Sequence, residues 1–230
     1  MGTWLARHRH AVLLALLLCG YTFQSFAITA RTGGIVSDVV LAGLELAMFL
    51  IVFENPRERA LLAVVFVAAT VVGLSRYFFP ADADSGRALA FYSLHAIFMW
   101  GAVFVILRDL FRNKGKEPEN VLGAICGYLI AGAGWAALNE VAFWFAPATF
   151  SINADLTNLV ADWHGRLALF LYYSMAQMLT IGYSDVTPLR APATTLSLFA
   201  ALFGLFYTAI VVAQFVGLAQ SGSGGNRNDA

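Results

Sequence analysis

Charge is what this chain has least of. Only 12% of its 230 residues are Asp, Glu, Lys or Arg, while 60% are hydrophobic and the mean hydropathy is +0.72. Soluble domains carry about a quarter charged residues, so the balance points to an integral membrane protein. The net charge is zero, with 14 basic and 14 acidic residues, which gives no electrostatic footprint for nucleic acid. Cysteine is nearly absent. Cys19 and Cys126 both fall in apolar stretches without a CxxC or a neighbouring His, so they read as small buried hydrophobes rather than a disulfide or metal site. Paired carboxylates, a nucleophile–base motif and a phosphate loop are also missing, and no enzymatic chemistry or cofactor is expected. No internal repeat or pair of broken helices is visible, as a secondary transporter would favour.

What is there is a series of apolar runs. Six spans are predicted at about 11–30, 35–53, 59–79, 87–111, 120–146 and 192–219. Each approaches or exceeds the length of about 20 residues that crosses a bilayer. Breaks separate them at Arg31–Gly34, Glu54–Arg59, Pro80–Gly86 and Arg112–Lys116. The basic start, Arg7 to His10, followed by Ala11–Leu18 is similar to a signal peptide. The apolar character continues to about Ala30, so a retained first helix is expected. A shorter helix at about 166–179 is predicted to be re-entrant, entering the membrane and returning without crossing. Non-helical backbone beside it is allowed only where protein encloses it and it lines a water path.

The positive-inside rule orients these spans. With the N-terminus inside, the cytoplasm receives Arg7, Arg9, Arg57, Arg59, Arg108, Arg112, Lys114, Lys116 and Arg227. The other side receives Arg31, Arg76, Arg87, Arg166 and Arg190. Both termini are expected in the cytoplasm, with the loop before the last span outside. The fourth span carries Arg87 and Arg108 only at its ends. A voltage sensor needs several cationic residues along one helix, so little or no voltage dependence is expected.

The most informative stretch is Thr180-Ile181-Gly182-Tyr183-Ser184-Asp185, placed between the short helix and the last span. An ion sheds its water only where other oxygens replace it, and rings of backbone carbonyls do this. Upstream stand Tyr172, Tyr173 and Ser174, and downstream Val186, Thr187 and Pro188. On these residues the stretch from about Val121 to Leu218 resembles the pore module of the tetrameric potassium-channel family in its bacterial two-helix-plus-loop form. The family's filter reads Thr-Val-Gly-Tyr-Gly-Asp.

The resemblance implies a fold and a set of roles. The fold class is an all-α membrane protein with six transmembrane helices and a re-entrant pore helix and filter loop between the fifth and sixth. Residues 1–116 would form a four-helix N-terminal region, 117–220 the pore module and 221–230 a disordered cytoplasmic tail. Carbonyls of Thr180, Ile181, Gly182 and Tyr183 would coordinate K+, the permeant ion, with Ser184 completing the filter. Asp185 would brace the filter through the Tyr173 hydroxyl or stand solvated and attract cations, and Gly204 is either an inner-helix hinge or a close-packing glycine. With one pore loop per chain, a homotetramer in the lipid bilayer is implied, in the plasma membrane and, for a bacterial protein, the inner membrane. A regulatory subunit is a further candidate partner.

Several residues depart from the family or stand apart from it. Ser184 replaces a glycine at a position that needs left-handed backbone, a conformation costing about 1 kcal/mol or more for other residues. A non-selective cation channel is therefore an alternative, as are a non-conducting membrane subunit and a transporter. Leu179 and Gln177 are also unusual behind such a filter. Gly123, Gly127 and Ala131 recur every four residues and predict close packing on the inner helix. Glu140 is expected either to bond backbone amides behind the pore mouth or to sit exposed at the interface. Glu45 and His95 lie well inside their spans, either as a proton-sensing pair or as neutral groups between helices.

Overall fold

The computed structural model describes residues 8–30, 34–53, 55–78, 85–112, 118–161 and 163–223. Most of the predicted breaks, the acidic and basic linkers among them, lie outside these residues, as does 224–230. The chain is built from long helices: α1 (Arg9–Ala30), α2 (Gly34–Val52), α3 (Pro56–Phe78), α4 (Ser85–Arg112) and α5 (Pro118–Phe145). A short connection follows with strand β1 (Phe150–Ile152) and helix α6 (Thr157–Ala161). Then come helix α7 (Trp163–Met178), strand β2 (Val186–Pro188) and helix α8 (Ala193–Ser223). The last helix runs into the segment expected to be a disordered tail, as far as Ser223.

Among the described residues, four helices are long and apolar enough to cross a membrane, over Pro56–Ser75, Gly86–Arg112, Glu119–Phe145 and Ala193–Ala213. Together with the helical architecture they make this an all-α, multi-pass membrane protein. Local signals set the helix starts. Pro56 and Pro118 occupy first positions, where a missing N–H costs nothing. Asn55 caps α3 by accepting from the Arg57 amide at 3.2 Å. Glu119, in the first turn of α5, accepts from the His10 amide at 2.7 Å, satisfying a donor that the start of α1 would otherwise leave open.

Helix α5 is the hub, touching α1, α4, α7 and α8. Lipid is as apolar as leucine, so burial alone does not drive helices together; close approach and polar bonds do. Gly127 shows the close approach. A Cβ there would lie 2.6 Å from the Tyr207 hydroxyl of α8, and that hydroxyl donates to the Ala124 carbonyl at 2.6 Å. Gly123 differs from expectation: it faces His10 of α1 rather than the inner helix. The small-residue spacing therefore serves two neighbours, because α5 is enclosed on several sides.

Two apolar clusters result. One joins α1, α2 and α4 to α5 and includes Leu13, Met48, Phe98, Ile130 and Trp135. The other, around Phe150, Phe170, Tyr173 and Val186, packs α7 against the connection on either side of it. The second cluster holds the site.

Candidate functional site

Helix α7 has 16 residues, or ~24 Å at about 1.5 Å per residue, short of the ~30 Å hydrocarbon core. It lies against α5 and α8. At its first turns Arg166 is buried, and its Nε donates to Glu140 Oε2 of α5 at 2.9 Å. Glu140 is 0% exposed. Arg166 also donates from Nη1 to the Val160 carbonyl at 3.1 Å and lies over the rings of Phe143 and Trp144. Glu140 thus meets a guanidinium instead of the loop amides or exposed interface expected of it. The charge that forces this is Arg166, which chain order places 26 residues away. About two turns further along α7, Asn139 Nδ2 donates to Ser174 Oγ at 3.1 Å. Two adjacent residues of α5 therefore fix the depth and rotation of α7.

The far end of α7 leads directly into the predicted filter. Thr180 N–H bonds the Gln177 carbonyl and Ile181 N–H bonds the Ala176 carbonyl, both at 2.9 Å. Thr180 itself is left-handed, with φ 56°. This is the double bond pattern of a Schellman cap, with Thr180 in the place glycine usually takes. A β-branched residue at positive φ is uncommon, and such strain costs about 1–3 kcal/mol. Gly182 is also left-handed, at φ 66°, as a glycine tolerates. Ser184 is not. Among the described non-glycine residues only Thr180 has positive φ, so the strain expected at Ser184 sits at the helix cap instead. The Ser184 carbonyl accepts from Thr187 Oγ1 at 3.4 Å.

One aromatic side chain braces this segment at both ends. The Tyr172 ring stacks on Tyr183, with centroids 5.6 Å apart and planes at 15°. Its hydroxyl donates to Asp185 Oδ2 at 3.0 Å. Tyr172, and not the expected Tyr173, is therefore the partner of Asp185. Adjacent helical positions point about 100° apart, so only one of the two tyrosines faces the loop. Tyr173 points into the core. Its hydroxyl lies 2.5 Å from Ser197 Oγ of α8, and since Ser197 donates to the Ala193 carbonyl, Tyr173 is the donor.

Beyond Asp185 the chain forms a small antiparallel ladder. Ile152 pairs with Val186, Ser151 with Thr187 and Phe150 with Pro188, and Asn153 N–H donates to the Asp185 carbonyl at 2.9 Å. The connection after α5 therefore clasps one side of the loop. At the end of α7, Met178 meets Gly204 of α8. A Cβ on Gly204 would come within 2.7 Å of Met178 Cα and carbonyl carbon. This close approach accounts for the glycine in a helix that runs without interruption from Ala193 to Ser223.

Thr180, Ile181, Gly182, Tyr183 and Ser184 are all exposed, with Ile181 and Tyr183 each at 50%. Their backbone is irregular, lies at the tip of a short helix between two long ones, and is held from behind. Such a strand presents carbonyl oxygens, the ligands a hard monovalent cation takes. Residues 120–221, from the first turn of α5 to the end of α8, match the family model described as ion channel. That match supports an ion-channel family and ion channel activity in a membrane protein. Neither a curated protein nor a solved structure matches the chain.

Proposed function

We propose that this chain is a subunit of a potassium channel, four copies of which surround one pore and conduct K+ passively. The observation that carries the reading is the exposed Thr180–Tyr183 backbone at the end of a helix too short to span. Irregular backbone cannot face lipid, because each unsatisfied polar group costs several kcal/mol there. It needs either protein or water on its open side. A cyclic assembly supplies both, with neighbouring copies on the flanks and the ion path at the axis. One chain offers one such strand, and a ring of carbonyls fourfold about an axis needs four.

In this assembly α7 is the re-entrant pore helix. Its carbonyl end aims toward the axis, where the negative end of a helix dipole favours a cation. Carbonyls of Thr180, Ile181, Gly182 and Tyr183 replace the ion's water, and the Thr180 hydroxyl adds the innermost ligand. Tyr172 and Asp185 hold the strand from behind. The apolar face of α8, with Leu198, Leu202, Leu205 and Phe206 exposed, is then divided between neighbouring copies and the cavity below the filter. Helices α1 and α2 complete six crossings, with both termini in the cytoplasm of a plasma membrane.

A second reading has its own support. The Ser184 carbonyl is engaged by Thr187 and its backbone is not left-handed. A filter without that outermost ring has fewer sites and discriminates K+ from Na+ less well, which makes a non-selective cation channel. Purified protein in liposomes, loaded with K+ or with Na+, separates the two. Efflux of K+ well above Na+ from a complex with the mass of four chains supports the selective channel. Comparable efflux favours the second reading. An intact four-chain complex that passes neither ion points to a non-conducting subunit.

A further inference from the structure

Three aromatic rings meet where the N-terminal half touches the start of α7. Trp163 is the first residue of that helix. The Tyr92 ring of α4 stacks on it, with centroids 5.0 Å apart and planes at 25°. The Phe91 ring stands 5.0 Å from Trp163 at 56° and 5.3 Å from Tyr92 at 77°. Each ring therefore touches the other two, and Tyr92 is 0% exposed. Two further helices back Phe91. It stacks on His95, with centroids 5.8 Å apart and planes at 16°, and His95 Nδ1 stands 3.0 Å from Glu45 Oε1 of α2. On α3, a Cβ at Gly73 would lie 3.0 Å from Phe91 Cε2, so the glycine makes room for the ring. Helices α2, α3 and α4 thus converge on one indole of α7.

We propose, on the channel reading, that Trp163 is a positioning residue for conduction, through which the N-terminal half sets the tilt of α7 and so the place of the filter backbone. Large rings supply much contact area and prefer particular mutual angles. In lipid it is such packing, with polar bonds, that holds helices together. The other holds on α7 come from its own side of the molecule. Glu140 and Asn139 of α5 bond Arg166 and Ser174. Gly165 lets the helix approach α6, where a Cβ would meet the Leu159 carbonyl oxygen at 2.6 Å. The aromatic clamp instead joins α7 to helices that precede the residues matched by the ion-channel model. It gives those helices a part in conduction that needs no charge ladder.

The length of α7 gives the clamp its leverage. Over ~24 Å, a tilt of about 5° at the first turn displaces the other end by about 2 Å. Groups that bind a ligand must be held to within about 0.5 Å, so a small tilt matters to a ring of carbonyls that replaces an ion's water. The displaced end carries the filter with it, because the Thr180 and Ile181 amides bond the last turn at 2.9 Å.

The test uses the full chain. Amide hydrogen exchange in detergent reports local opening and needs no conduction; K+ efflux from liposomes, per intact complex, is read beside it. Trp163→Leu removes the clamp and Trp163→Phe keeps a ring in it. In Trp163→Leu, exchange over residues 166–181 should rise about tenfold or more while residues 193–213 keep their protection, and efflux should change about threefold or more. Trp163→Phe should recover most of both. Phe91→Leu should repeat the pattern more weakly from α4, and Gly73→Ala, which pushes the Phe91 ring from α3, should shift efflux without any change in α7 itself. These two variants decide the matter if Trp163→Leu fails to fold. Exchange unchanged over 166–181 in the folded variants, or protection lost equally in α8, overturns the proposal. Local loss of protection in a protein whose wild type passes no ion keeps the clamp and counts against the channel. Ion flux that no variant alters keeps the channel and removes the role of Trp163.

Discussion

Helices α3 and α5 are equally apolar over their spanning stretches, yet 11% of that stretch is buried within the chain in α3 and 61% in α5. The contrast extends to the halves they belong to. In the half built on α5, polar groups are paired across helices: Glu140 with Arg166, Asn139 with Ser174, Tyr173 with Ser197. Each pair ties α7 to a flanking helix, so a short element that cannot hold itself in lipid is fixed in depth and rotation. In the N-terminal half polar groups are also paired, Glu45 with His95 and Asp38 with Tyr77, but they line a cavity. The aromatic set Phe49, Phe53, Phe66 and Phe98 packs beside it. One half is built for fixed geometry and the other leaves space. Helix α8, at 22% buried, belongs to the first half but has its covering supplied by other copies in the proposed assembly.

The sharpest way to break this contrast is at the buried pair. Arg166→Gln leaves Glu140 enclosed without its cation, and losing one partner of such a pair costs about 3–5 kcal/mol. Thermal unfolding in detergent should fall steeply, while Glu140→Gln combined with Arg166→Met should recover much of the loss. Equal stability of Arg166→Gln and the wild type would show that the pair does not hold α7.

Gly204→Ala comes next. A methyl group against the Met178 backbone is an overpacking change, costing about 1–3 kcal/mol. Lower stability together with lower flux is expected. Unchanged stability with altered opening would instead mark Gly204 as the hinge read from sequence.

Tyr172→Phe keeps the ring on Tyr183 and removes only the hydroxyl bond to Asp185, worth about 1 kcal/mol. The fold should persist while the K+ to Na+ permeability ratio drops. Tyr173→Phe should lower stability, through Ser197, more than selectivity. If the two variants behave alike, the division of labour between these tyrosines is wrong. Ser184→Gly should have the smallest effect, a modest rise in K+ preference with no change in melting temperature, because Ser184 is not strained where it stands.

Much of the architecture was legible because it rests on local signals. Runs of apolar residues bounded by Asn55-Pro56 or by Pro118-Glu119 place helices to within a few residues. The short helix before Thr180 was visible for the same reason. What depends on rotation and on distant partners was not. Choosing Tyr172 over Tyr173 as the partner of Asp185 requires the phase of α7, which apolar content on all sides conceals. The Glu140–Arg166 pair joins two elements across an irregular connection, and Arg166 read simply as an outward-side cation. The three-residue strands β1 and β2 are too short for alternation to register. Strain moved from Ser184 to Thr180 because the way α7 ends, by a Schellman cap, determines the backbone more than the filter consensus does.

In the proposed channel, Thr180 to Tyr183 line a potassium-selective path. The most direct measurement is the reversal potential of purified protein in a planar bilayer, with K+ on one side and Na+ on the other. A potential displaced strongly toward that of potassium is expected, with a smaller displacement for Tyr172→Phe. A potential near zero with robust current, the same in wild type and variant, would contradict it.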